Sequence, residues 1–206
     1  MNAADPVALA ASPRGPGNVL NAADVCIDVG YLCAELANQE MIRLQRWRDF
    51  EGTIVVHVPL PTHEEPAIAR DLQRAAAQGL QAWNGQPFPI LADLRGDRGP
   101  HFEVTWSPGL GGSQIGVART KWSQGEGLTV VAIELSTRSP FNGQTASALQ
   151  VRLTAAHEMG HALGLLHSDS PRDVMYPSNT ATSMSAQDYR TIEVLYRLED
   201  GTQIRR

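Results

Sequence analysis

The chain has 206 residues, enough for one well-buried core and too few for two large domains. Apolar residues at 42% and charged residues at 19%, with 18 Gly and 13 Pro, describe a turn-rich globular protein and not a disordered one. A net charge of −5 argues against a nucleic-acid partner, and no run approaches the roughly 18 apolar residues of a membrane span.

Residues 1–20, MNAADPVALAASPRGPGNVL, are rich in Ala, Pro, Gly and Asn and read as a flexible arm. The opening has neither a basic n-region nor a continuous apolar h-region, so no signal peptide is visible. Either the chain stays in the cytosol or it starts after a removed leader. Cys26 and Cys33, in CIDVGYLC, are either a disulfide of an oxidising compartment or two half-buried thiols. From about Leu32 to Trp47, the spacing of Leu36, Met41, Leu44 and Trp47 predicts an amphipathic helix.

TIVVHVPLP (Thr53–Pro61) is β-branched and ends at prolines, which predicts a strand. EEPAIARDLQRAAAQGLQAWN predicts a long helix, with Glu64 and Glu65 at its positive end and Pro66 in its first turn. Ile68, Leu72, Ala75, Ala76 and Leu80 form its buried stripe. GQPFPILADLRGDRGP reads as turn, His101–Trp106 as a short strand and SPGLGGSQ as loop. Ile115–Trp122 and Leu128–Leu135 are strands separated by the turn SQGEG.

A second long helix is predicted over Thr145–Leu163, where Leu149, Leu153, Ala156, Gly160 and Leu163 make a seam. Residues 168–184 are irregular, and a last helix starts at the candidate N-cap Ser185 and carries Ile192, Leu195 and Tyr196. No internal repeat is visible. The order predicts a single α/β (α+β) domain with a mostly parallel sheet and an antiparallel strand.

The second long helix carries the chemistry. In HEMGHALGLLHSDSPRDVMYP, His157 and His161 stand one turn apart on the same side and aim their rings at one point. Two imidazoles so placed suit a tetrahedral zinc ion. Glu158 is rotated away from the ligands, where a carboxylate can take a proton from a metal-activated water. Gly164 can end the helix in a left-handed conformation and turn the chain back, so that His167 brings a third nitrogen. Three neutral histidines leave the fourth position open, as a catalytic zinc requires.

HExxHxxGxxH followed by Met175 in DVMYP is the metzincin signature. Within that clan the chain resembles the matrixin family of secreted zinc endopeptidases. Ser168 directly follows the third histidine, and SDSPRDVMYP is similar to the matrixin Met-turn segment. RWRDFEGTIVVHV, LQAWN, the run LSTRSP to HEMGH, and TIEVLY resemble further parts of the family's catalytic domain, over about Arg46–Arg197. The resemblance implies a metzincin fold: a twisted mixed sheet with two long helices, a Met-turn and a C-terminal helix. It divides the chain into an N-terminal extension, 1–45, and a catalytic domain, 46–206.

The resemblance also implies roles. His157, His161 and His167 bind one catalytic zinc, Glu158 is general base and then proton donor, and Met175 is the floor beneath the metal. Tyr176, Pro177, Ser178 and Asn179 line the S1′ pocket. Ile115, Gly116, Val117 and Ala118 lie on the edge strand Ile115–Thr120 that pairs with an extended substrate. The expected partner is a protein or peptide substrate, met by a monomer outside the cell.

Some family features are missing. No histidine lies between Trp106 and Ala156, which argues against the structural zinc of animal matrixins. ADLRGDRG has too few well-spaced oxygens for an EF-hand calcium loop, and calcium dependence stays open. Cys26 or Cys33 could occupy the fourth zinc position as a latency ligand, as could Asp24 or Asp28, although neither cysteine has the family's propeptide context. An extension simply packed on the domain is the preferred reading.

His57, His63 and His101 lack ligand spacing, Trp83 and Trp106 read as core, and Asp169 and Asp173 as turn-forming residues. Tyr176 directly follows the methionine, one position too early for the tyrosine ligand of astacin-type relatives. Two other readings remain: a metzincin-like fold used only for binding, against which Glu158 speaks, and hydrolysis of an amide other than a peptide.

Overall fold

The computed structural model describes residues 18–206; residues 1–17, most of the expected flexible arm, lie outside the described residues. The main sheet has five strands: β3 (Ile54–His57), β4 (Ile90–Asp93), β5 (Phe102–Ser107), β6 (Gly116–Ser123) and β7 (Gly127–Ser136). Their order is β4-β3-β5-β7-β6, parallel throughout except for β6, which pairs antiparallel with β7 and leaves its other side as a free edge. The expected mixed sheet is therefore present. In β3, Ile54 and Val56 are fully buried and alternate with half-buried neighbours, as the pleat dictates.

Two long helices pack against each other and on this sheet: α2 (Pro66–Leu80) against β4, and α3 (Ala148–Ala162) against β6 and β7. Pro66 occupies the first turn of α2, and Leu72, Ala76 and Leu80 are buried along its inner side. The helix α3 starts three residues later than the spacing predicts, because the Ser147 side chain accepts the Gln150 N–H and caps it there. The C-terminal helix α4 (Ala186–Arg197) begins where expected: Ser185 accepts from Asp188 N–H, and Asp188 accepts from Ser185 N–H.

Three expectations need correction. The helix predicted over Leu32–Trp47 does not form; that stretch holds a 3-10 turn (Ala34–Ala37) and a strand, β2 (Met41–Arg43). Ile42 and Leu44 are buried while Met41 is exposed, a period of two that the wider apolar spacing masks. The strand partner lies at the far end of the chain. In a second, small sheet, β8 (Gln203–Arg205) runs between β1 (Val19–Asn21) and β2, with Ile204 paired to Leu20 and Ile42. Between β1 and the turn, α1 (Ala22–Val25) leads into the Cys26–Cys33 disulfide. The second correction is β4, which lies inside the stretch read as turn; its short ILAD run is placed by parallel pairing to β3. The third is Leu149, which stands exposed in the first turn of α3 and does not join the buried seam.

The large indoles are placed as expected. Trp83 is fully buried with its N–H on Ala156 O at 2.7 Å, and the half-buried Trp106 donates to Pro59 O at 2.8 Å.

Candidate active site

The helix α3 ends at the site, and two glycines shape that end. Gly164 has φ +98° and turns the chain back; a side chain there would also meet Gln45 O at 1.9 Å. At Gly160 a Cβ would lie 2.2 Å from Met175 Sδ, so the missing side chain is the space the methionine fills. The return loop is closed by Ser168, whose N–H donates to Met175 O at 2.9 Å and whose hydroxyl donates to Asp173. Met175, fully buried, thereby sits under the helix. Asp173 is buried and bonded and Asp169 exposed, consistent with loop roles.

This folding brings His157, His161 and His167 together, with one ring nitrogen of each within 4.8 Å of the others. His157 Nδ1 lies 2.8 Å from Val174 O, and His161 Nδ1 2.8 Å from Leu165 O. A carbonyl only accepts, so both rings carry their proton on Nδ1 and present an Nε2 lone pair inward. Those two Nε2 atoms face each other at 3.1 Å with no proton to share. Burial holds His157 below its ordinary pKa and, with the neighbouring His157, pushes His161 down to about 3, so both rings stay neutral. Converging neutral lone pairs repel one another unless a cation lies between them. Imidazole donors suit zinc and other transition ions, not calcium or magnesium, which take oxygen. The residues present therefore fit zinc.

Glu158 is buried beside the histidines in a cleft of about 790 Å³. Burial lifts its carboxyl to about 7, against the opposing pull of the Ala118 N–H, which donates to Oε2 at 2.7 Å. Gly116 packs directly on this helix, since a Cβ there would come 2.4 Å from Thr154 Cγ2 and 2.8 Å from Glu158 Cγ. The edge strand is thus laid across the carboxylate by two small residues.

Of the residues expected to bind substrate, Ile115, Gly116, Val117 and Ala118 line one side of the cleft, and Pro177, Ser178 and Asn179 another. Tyr176 does not; it faces an adjoining hollow shared with Glu35, Asn38 and His167. Cys26 and Cys33 are bonded to each other, so neither sulfur offers the thiolate a latency ligand needs. His101 accepts from Val55 N–H at 3.1 Å, His63 lies 2.8 Å from Thr137 Oγ1 and His57 3.5 Å from Glu103, all outside the cluster.

Three residues at this site escape a reading of the sequence. Asp188 is fully buried and accepts from Tyr31 O–H at 2.9 Å and from Val174 N–H at 3.0 Å, so it fixes one side of the residue whose carbonyl, in the next peptide, holds His157. The capping spacing from Ser185 is its one visible signal. Thr154 accepts from the Asn179 amide at 2.6 Å, tying that wall of the cleft to α3. Glu35 reaches His167 from 132 positions away, and nothing local marks it.

A mixed sheet over two long helices, three converging histidines, an adjacent glutamate and a methionine beneath them define a metzincin-type metallopeptidase domain. A profile of the matrixin family matches residues 95–197, half of the chain, from the loop before β5 to the end of α4. Matrilysin of Felis catus is 33% identical over 94 residues, which is 43% of this chain and 29% of that protein. Macrophage metalloelastases of Rattus norvegicus and Oryctolagus cuniculus are 46% and 48% identical over 50 residues, 21% of this chain in each case. The chain thus spans less than a third of these relatives, 29% of the first and 10% and 11% of the others. The chain belongs to the matrixin family.

Proposed function

We propose that this chain is a zinc-dependent endopeptidase that hydrolyses peptide bonds in protein substrates, with His157, His161 and His167 as ligands of one catalytic zinc. The observation that carries this is the pair of inward Nε2 lone pairs at 3.1 Å, beside a buried glutamate in an open cleft. When bound, zinc supplies Lewis acidity, polarising a carbonyl oxygen and acidifying water. Glu158 takes the proton of the attacking water as the C–O bond forms, and passes it to the amine nitrogen as the C–N bond breaks. Its position on α3 and its Ala118 hydrogen bond hold the carboxylate toward the cleft without making it a ligand.

The substrate lies extended along β6. Ile115 O accepts from Ser136 N–H, toward β7, whereas Ala118 N–H points away to Glu158. By strand alternation, the backbone groups of Gly116 and Ala118 therefore face away from β7; with the Ala118 N–H held by Glu158, the Gly116 N–H and C=O and the Ala118 C=O are left for an added strand to pair. Pro177, Ser178 and Asn179 form the facing wall and set the pocket beside the metal. The Cys26–Cys33 disulfide supports an extracytoplasmic setting, since such bonds persist in oxidising compartments. Among the described residues no helix is long and apolar enough to cross a membrane.

The test is cleavage of casein by the zinc-loaded chain and by Glu158→Ala, with bound zinc measured in both. The variant is expected to retain zinc and lose about 10²–10⁴-fold in rate. Equal rates in the two proteins would remove Glu158 from the mechanism, and a zinc-loaded parent that cuts no protein would remove the endopeptidase reading.

A further inference from the structure

We propose that Glu35 is a positioning residue for the third zinc ligand, so that the segment before the matched region completes the metal site. The inference rests on the reading of His157, His161 and His167 as zinc ligands. Two of these rings are held on their outer side by carbonyls of the adjacent loop, at Val174 and Leu165. His167 is held differently. Its backbone N–H donates to Glu35 Oε1 at 3.3 Å, and its Nδ1 lies 3.7 Å from the same oxygen. The His167 side chain is also open to solvent, at 41% exposure, so packing alone does not orient it.

The carboxylate itself is well anchored. Its other oxygen accepts from the Gln39 amide at 3.0 Å. Glu35 sits in the turn Ala34–Ala37, directly after Cys33 and its disulfide, and next to the buried Leu36. Upstream, Tyr31 is tied to α4 through Asp188 and Thr191. A carboxylate fixed in this way behind an imidazole orients the ring and increases its basicity toward a metal on the opposite nitrogen. The two carbonyls bond their rings directly at 2.8 Å. Glu35 instead bonds the His167 backbone N–H and places its charge 3.7 Å from Nδ1, so it acts on this ring through the backbone and the charge.

The experiment measures zinc dissociation constants, by competition with a chromophoric chelator, for the full chain and for Glu35→Ala and Glu35→Gln. Urea unfolding of the zinc-free proteins and the visible spectrum of the cobalt-loaded ones are recorded alongside. Glu35→Ala is expected to weaken zinc about 10–100-fold and to shift the cobalt bands, with zinc-free stability unchanged. Glu35→Gln, which keeps an acceptor oxygen but no charge, should fall between the two. Zinc affinity within about twofold of the parent, well below the loss expected of such a partner, would overturn the proposal. So would a loss of affinity matched by an equal loss of zinc-free stability, since Glu35 would then be a structural prop. A parent that binds no zinc at all would instead overturn the ligand assignment on which the proposal stands.

Discussion

Met175 and Gly160 show how a single atom can set the geometry of this site. The methionine sulfur occupies the place where a residue 160 side chain would begin, 2.2 Å from an ideal Cβ. Gly160→Ala must therefore push the methionine, or lift the helix turn between His157 and His161. Overpacking of this kind costs about 1–3 kcal/mol, to be read as a lower urea midpoint of the zinc-free variant. An unchanged midpoint would mean that the loop carrying Met175 yields freely. The motif residues themselves were legible at this scale, because the HExxHxxGxxH spacing encodes direction on a helix. Glu35, Thr154 and Asp188 were not, because a hydrogen bond across the fold leaves no periodic trace in the chain.

At the scale of elements, the strands and helices around the site follow their patterns, and the misreadings fall where partners are distant. The end of β4 offers a test. Asp93 Oδ1 accepts from Arg95 N–H at 3.0 Å and Oδ2 from Arg98 N–H at 3.1 Å, which fixes the loop leaving the strand. These backbone donors, Arg95 first, hold the carboxyl below its ordinary range. A folded value below the unfolded one, about 3.9, gives stability that is present above that pH and lost as pH falls through the folded value. Asp93→Asn should thus unfold at lower urea than the parent at about pH 6, with the gap closing below about pH 4. A gap that stays constant from about pH 6 to about pH 3 would exclude the ionised cap as its source.

Across the whole molecule, the two ends of the described chain meet. β8 lies between β1 and β2, so residues 18–43 dock through the last described strand. Gly201 N–H donates to Leu44 O and Leu44 N–H to Thr202 O, which extends the junction toward the main domain. Deleting residues 203–206 is expected to expose the amides of Leu20 and Ile42 to fast hydrogen exchange, while those in α3 keep their protection. If residues 18–43 remain protected after the deletion, contacts to α4 hold them and the small sheet does not.

Local pattern was enough for β3, β5, β6 and β7, for the helix carrying His157 and His161, for the turn at Gly164 and for the cluster with Met175 beneath it. Each is set close by in the chain, through side-chain period, a cap or a residue free of a Cβ. It took the folded molecule to show that 32–47 is a turn and a strand, that Cys26 bonds Cys33, that Tyr176 lines an adjoining hollow and not the cleft, and that Glu35 stands beside His167. Those outcomes depend on which distant backbone and side-chain groups arrive beside a segment. Local propensity is weak, and a few long-range hydrogen bonds and buried contacts override it.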